Sequence, residues 1–335
     1  MKGPEGAAVP VTLEDVRAAA RRLAGRIHRT PILRSRSLDE RTGCRLLLKP
    51  ENLQRGGSFK IRGATNRIAL AVAGPAPPRG VVTYSSGNHG QATALAAREA
   101  NLPAAVVVPE DASRAKTEAV KAYGAEVHFR GRTSDERKER AEEIARERGW
   151  EIIPPFDDPG VVAGQGTAGL EIAEEVEDLG AVVVPVGGGG LLAGTAVAVK
   201  ALHPRAIVVG VEPETADGMR RSLDAGRIVS LAPSSTVADG LRPLAPGRIP
   251  FEIARSLVDA VVPVSDEEIL SALWLLLERA KILVEPSGAA AFAAVLSGRI
   301  PAAPGGVAVV LSGGNVDRST LARLLARQGP GSDVE

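Results

Sequence analysis

Val182-Val183-Val184-Pro185-Val186-Gly187-Gly188-Gly189-Gly190-Leu191-Leu192-Ala193-Gly194 decides the architecture. A β-branched run leads into four consecutive glycines and then an apolar continuation, the pattern of a buried strand, a tight turn and a helix. The free amides of such a helix start point at whatever fills the turn, and they favour an anion. The uncharged stretch 181–199 is long enough on count alone to cross a membrane, but Pro185 and the glycines divide it, because glycine is costly inside a helix and cheap in a turn. A P-loop would end in Lys-Ser/Thr, which is absent here, so a nucleoside triphosphate with magnesium is not expected. Gly188 to Ala193 does satisfy G-x-G-x-x-A, and Glu212 closes the next β-branched run, so a dinucleotide turn competes with a simple phosphate cradle. A tight turn that binds nothing is the third explanation.

Outward from this segment, short β-branched runs alternate with amphipathic stretches, as in parallel sheets joined by crossover helices. Strands are expected at 81–84, 104–108, 126–129, 181–186, 207–211 and 307–311. Helices are expected at 13–23, 89–100, 113–123, 134–148, 164–176, 191–202 and 266–281, the last opened by Ser265 as N-cap with Asp266, Glu267 and Glu268 in its first turn. The fold class is α/β. At 335 residues the chain exceeds one compact core, so two lobes are expected, each a mostly parallel twisted sheet flanked by helices, with a cleft between them. Proline-rich 73–79 and 154–160 mark the passages, which gives a large lobe of 1–79 and 158–335 and a small mobile lobe of 80–157.

Composition narrows the function. A net charge of +1 and 3% aromatic residues give no footprint for nucleic acid or a membrane surface. Cys44 is the single cysteine, so no intrachain disulfide forms, and a reducing compartment fits. Residues 1–12 lack the apolar segment of a secretory signal, and the cytoplasm is the expected location. His28, His89, His128 and His203 show no metal-ligand spacing.

Four further segments carry chemistry. Among eight lysines and thirty-three arginines, Lys60 in Ser58-Phe59-Lys60-Ile61-Arg62-Gly63 stands out, since an amine nucleophile or base cannot be arginine. Lys49, at the end of an apolar run, is its rival, and a surface ion pair is the ordinary role for either. Ser85-Ser86-Gly87-Asn88-His89-Gly90-Gln91 gathers hydroxyls, an amide and backbone N–H groups at a helix start, which suits a carboxylate, although a capped helix without a ligand is commoner. Leu311-Ser312-Gly313-Gly314-Asn315 follows the last strand, and Glu285-Pro286-Ser287-Gly288 opens a helix upstream of it, both at places where open α/β sheets bind ligands.

Together with Gly164-Gln165-Gly166-Thr167, these segments resemble the fold-type II pyridoxal-phosphate (PLP) enzymes, most closely the threonine dehydratase and serine racemase branch. The resemblance runs in one order over about 12–317, and the dinucleotide alternative explains only the glycine turn. It implies that PLP lies in the cleft as a Schiff base on Lys60, with Phe59 beside the ring. Gly187, Gly188, Gly189, Gly190 and the Leu191 amide would hold its phosphate, Asn88 its ring hydroxyl and Ser312 its ring nitrogen. Ser85, Ser86, Gly87, Asn88 and His89 would take the substrate carboxylate, with Ser86 on the face opposite Lys60. The implied reaction is dehydration of L-threonine or L-serine to 2-oxobutanoate or pyruvate plus ammonia. Serine racemisation and 3-hydroxyaspartate dehydration are the alternatives within the fold, the latter needing an extra cationic side chain for which Arg137 and Arg242 are candidates. A non-catalytic small-molecule binder is the alternative outside it. Branch members that bind a divalent cation use a motif like Glu212 to Gly218, so Glu212 and Ala216 are candidate ligands for a divalent or monovalent cation, weakened because Gly218 stands where a carboxylate is usual. A homodimer or homotetramer is implied, and isoleucine feedback through an appended domain is not expected.

Overall fold

The computed structural model describes residues 9–85, 87–112, 114–131 and 133–326. Its strands, in chain order, are β1 (Leu46–Pro50), β2 (Val81–Thr83), β3 (Ala104–Val108), β4 (Glu126–Phe129), β5 (Glu151–Ile152), β6 (Leu179–Pro185), β7 (Ile207–Pro213), β8 (Ala260–Val264) and β9 (Gly306–Leu311). They form a five-stranded sheet in the order β1-β9-β6-β7-β8 and a four-stranded sheet in the order β4-β3-β2-β5. Every pairing among them is parallel. This is the expected α/β class, two parallel sheets with helices packed on them.

The large sheet shows why its valines follow one another without polar interruption. Side chains alternate between faces along a strand, so Val183, Val209 and Val309 meet the Pro286–Leu296 helix on one face. Val182, Val184, Val208 and Val310 meet the helices Pro159–Glu175 and Gly190–Leu202 on the other. A sheet covered on both sides favours apolar residues, and its buried charges, Lys49 and Glu212, stand near strand ends with partners. The uncharged stretch 181–199 is accordingly divided between β6, the turn and the following helix. Among the described residues, no helix is long and apolar enough to cross a membrane.

Several expectations need correction. β1, β5 and β8 are additional strands; β1 is the apolar run before Lys49, and β5 is too short to show any alternation. The helix Lys60–Ala73 was not expected, although Ile61, Ala64 and Ile68 are buried along it at one-face helical spacing. The helix expected from 164 starts at Pro159, with the Asp158 carboxylate accepting from Val161 N, because proline suits a first turn that needs no donor. The helix after Ser265 is α-helical over Asp266–Leu275, widens into a π turn over Leu276–Ala280 and stops at Lys281 with φ of 61°.

Three helices fasten the site. Lys60–Ala73 crosses Pro159–Glu175, which in turn crosses Gly190–Leu202, and both crossings are main chain against main chain. A Cβ on Gly164 would lie 2.7 Å from Gly63 Cα, and one on Gly166 would lie 2.8 Å from the Gly194 carbonyl oxygen. Only glycine permits such approach, which gives a structural role to the Gly164-Gln165-Gly166-Thr167 segment. Gln165 Oε1 also accepts from Gly63 N at 3.2 Å. From β6 the chain proceeds to β7 and β8 on one side, while β9 and β1 lie on the other. The turn after β6 therefore sits at the switch point of the sheet, where ligands of open α/β sheets bind.

Candidate active site

Lys60 opens its helix beside the end of β9. The loop before it is tied down: Ser58 bridges to Gly313, and Phe59 N donates to the Ser312 carbonyl at 3.1 Å. The Lys60 amine donates to the Pro155 carbonyl at 2.8 Å and lies 5.2 Å from the centre of the Phe59 ring. Part of the residue still meets solvent, yet protein surrounds the amine closely. That desolvation lowers its pKa from 10.5 to about 8, against an opposing pull from the Glu285 carboxylate. Lys49 has the other fate. Its amine is fully buried and bonded at 2.6 Å to both the Thr30 carbonyl and Glu171 Oε2, inside a network in which Arg62 also holds Glu51 and Glu171. Those partners enclose the Lys49 ammonium in an ion network, a setting unlike that of the Lys60 amine.

The glycine turn follows. Gly189 has φ of +91°, and a Cβ on it would meet Met219 Cε at 2.6 Å. A Cβ on Gly188 would fall on the Phe156 ring. The first bond inside the following helix is from Ala193 N to the Gly189 carbonyl at 2.9 Å, so the amides of Gly190, Leu191 and Leu192 precede the ladder. Buried glycine backbone with helix-start amides is the donor set a phosphate dianion requires, and Gly187 to Leu191 fit that group.

Across the cleft, Ser85 and Gly87 precede the Asn88–Glu99 helix; Ser86 lies outside the described residues. Asn88 Nδ2 donates to Glu285 Oε1 at 2.7 Å, and Asn88 Oδ1 accepts from Asn315 Nδ2 at 2.9 Å. Asn315 Nδ2 also donates to the Gly56 carbonyl at 2.8 Å. The serine-glycine-asparagine segment, the Lys60 loop and the loop after β9 thus meet at one place. His89 is buried, and its Nε2 lies 3.0 Å from the Ile153 carbonyl, which requires the proton on Nε2. Burial, then the Lys60 charge, push its pKa down to about 3 despite that bond. It is a neutral imidazole with a bare Nδ1 acceptor, and Nδ1 has no partner among the described residues.

Ser312 is buried, and its hydroxyl makes a long 3.4 Å contact to the Ser287 carbonyl. Glu212 accepts from Met219 N at 2.8 Å and Arg220 N at 2.9 Å, and Ala216 N donates to the Pro213 carbonyl. Among the described residues no group of three or more His, Cys, Asp or Glu converges as a metal cluster. Arg242 is engaged with the Thr236 carbonyl and Arg137 with the Ser134 hydroxyl. The geometry adds two residues that spacing alone does not mark, Pro155 and Phe156, whose carbonyl and ring meet Lys60 and the glycine turn; it also brings Glu285, from a segment the sequence already marks, against Asn88.

Residues 23–313 match the family model described as pyridoxal-phosphate dependent enzyme. The chain is 44% identical to the L-threonine ammonia-lyase of Thermotoga maritima over 94% of its own length and 78% of that protein's. It is 42% identical to the serine racemase of Dictyostelium discoideum over 94% of its length and 98% of that protein's. Among solved structures it resembles the T.th. threonine deaminase with a TM-score of 0.85 at 51% identity, covering 91% of this chain and 99% of that one.

Proposed function

The chain belongs to the pyridoxal-phosphate dependent enzymes, and from that premise we propose that it is an ammonia-lyase converting L-threonine or L-serine to 2-oxobutanoate or pyruvate plus ammonia. The observation that carries this is Lys60: its amine donates to the Pro155 carbonyl beside the Phe59 ring, and desolvation lowers its pKa to about 8, which suits an amine nucleophile and base. Similarity to a threonine ammonia-lyase at 44% identity supports the substrate class.

When bound, the cofactor supplies an electron sink for negative charge at the substrate α-carbon. The amides of Gly187 to Leu191 would hold its phosphate, Phe59 would flank its ring, Asn88 would donate to its ring hydroxyl, and Ser312 would meet its ring nitrogen with a hydroxyl that does not enforce a charge there. Ser85, Ser86, Gly87, Asn88 and His89 receive the substrate carboxylate, and a neutral His89 adds no competing titration to that work. Lys60, with a pKa near working pH, removes the α-proton as a neutral amine and then, as an ammonium, protonates the departing β-hydroxyl so that it leaves as water.

Serine racemisation is the second reading, favoured by the 42% identity to a serine racemase. It requires Ser86 to exchange a proton on the face opposite Lys60. Keto-acid release and D-isomer formation, measured in parallel on a panel of β-hydroxy amino acids, separate the two. For the wild type we expect keto acid to dominate. Ser86→Ala should cut any L-to-D conversion by at least about 100-fold and dehydration by less. Equal losses would remove the two-face assignment, and D-isomer outpacing keto acid would make racemisation the function.

Residues 80–157, which contain the four-stranded sheet, are proposed to form a small lobe that closes on substrate. The protein is further proposed to act in the cytoplasm as a homodimer or homotetramer. Supporting a second copy as partner, Leu53 and Leu283 are 51% and 39% exposed on one groove of about 440 Å³, shared with Leu33, Asn52 and Asn315.

A further inference from the structure

Glu285 holds a carboxylate in an enclosed part of the cleft for which the reaction above has no use. The residue is 6% exposed and stands at the N-cap of the Pro286–Leu296 helix, yet its side chain makes no capping bond there. It reaches away from its own helix to Asn88 Nδ2 at 2.7 Å. Its backbone is pinned, with Glu285 N donating to the Gly313 carbonyl at 3.0 Å. Its Oε1 lies 2.8 Å from where a Cβ on Gly313 would stand, beside Ser58. Burying a carboxylate is costly unless charge or donors compensate it, so a buried carboxylate on the rim of a reactive site calls for an explanation.

We propose that Glu285 is a positioning residue: its carboxylate fixes the orientation of the Asn88 amide and places negative charge opposite the Lys60 amine. The inference rests on the roles assigned above to Lys60 and Asn88. An asparagine amide can sit either way round, and its neighbours decide which. Here both ends are specified. Asn315, itself anchored on the Gly56 carbonyl, donates to Asn88 Oδ1, while Glu285 can only accept, which turns Nδ2 toward it. The amide nitrogen has two hydrogens, so one remains for a ring hydroxyl, and the carboxylate strengthens that donor through the shared group. The titratable groups that face the amine are Glu285 and His89. Since His89 is neutral, Glu285 supplies the countercharge that opposes desolvation.

The test is made first on the apoprotein, where cofactor chemistry plays no part. The rate at which trinitrobenzenesulfonate modifies Lys60, followed on its peptide by mass spectrometry, is measured against pH. The wild-type midpoint is expected near 8. In Glu285→Gln the midpoint should fall by about 1, making modification at pH 7 about fivefold faster. Loss of packing would act in the opposite sense, by returning Lys60 toward its ordinary value of 10.5. A midpoint that stays or rises overturns the charge role. Binding of pyridoxal phosphate tests the orienting role in a double-mutant cycle. Glu285→Gln and Asn88→Ala should each weaken it by about tenfold, and the double variant should be no weaker than the worse single, because the two act as one unit. Additive losses overturn it. Glu285→Asp keeps the charge but withdraws it from Asn88, so it should keep the wild-type midpoint and lose affinity by at least about threefold; wild-type affinity in that variant counts against the orienting role even if Glu285→Gln does not fold. Failure of the underlying reading is separately visible, since Lys60→Ala would then retain covalently held cofactor.

Discussion

Lys49 and Lys60 carry the same ammonium into opposite surroundings. Lys49 is bonded to Glu171 and the Thr30 carbonyl, whereas Lys60 meets one carbonyl and a half-open cleft. Lys60→Ala should therefore lose the visible absorbance of bound cofactor and at least about 10³-fold in turnover, within the range for removing a general base, while Lys49→Ala should keep the absorbance and lose stability; the reverse pattern would reassign the lysine. The scarcity of lysine against arginine narrows the choice in the sequence, but the surroundings of each amine depend on what the other helices bring, which the sequence does not display. His89 offers a pH test. In the unfolded chain an imidazole takes a proton near 6.5, while the folded one resists until about 3. Across that window the unfolded state binds more protons, so the stability tied to His89, complete above 6.5, is lost as pH falls toward 3. Urea midpoints between pH 4 and pH 7.5 should decline less for His89→Gln than for the wild type, and equal slopes would place His89 in contact with solvent.

At the scale of elements, the strand-turn-helix around the four glycines is legible because its grammar is local: β-branched residues, then residues free of Cβ, then a small apolar helix. The Lys60–Ala73 helix is not, for Gly56, Gly57 and Gly63 read as loop, and its helicity is stabilised by packing on Pro159–Glu175 rather than by propensity. β5 and β8 are set by their neighbours in the same way. The motifs at Lys60, Asn88, the glycine turn, Ser312 and Glu285 stand out in the sequence by residue type, whereas Phe156 and the contact of Glu285 with Asn88 become visible only in three dimensions. The turn itself has little slack. Gly188→Asp would put a Cβ onto the Phe156 ring and a carboxylate beside the phosphate donors. Cofactor affinity should fall by at least about 100-fold, read by fluorescence titration of the apoprotein, and unchanged affinity would mean that the phosphate lies elsewhere.

For the whole molecule, the proposed second copy makes the groove beside Leu53 and Leu283 its contact. Replacing both by glutamate should halve the sedimenting mass while leaving the far-ultraviolet circular dichroism unchanged; an unaltered mass would move the contact to another face. The stacked helices Lys60–Ala73, Pro159–Glu175 and Gly190–Leu202 carry a different consequence. Interfaces filled by side chains absorb thermal jitter through rotamers, but where Gly164 meets Gly63, and Gly166 meets Gly194, backbone approaches backbone and leaves little side chain to give way. The Lys60 amine and the glycine turn, proposed above to hold the two ends of the cofactor, are thus the jaws of a caliper whose beam is main chain. Its opening is gauged by the thickness of the peptide backbone itself, and one methyl group added at residue 166 would reset it for both jaws at once.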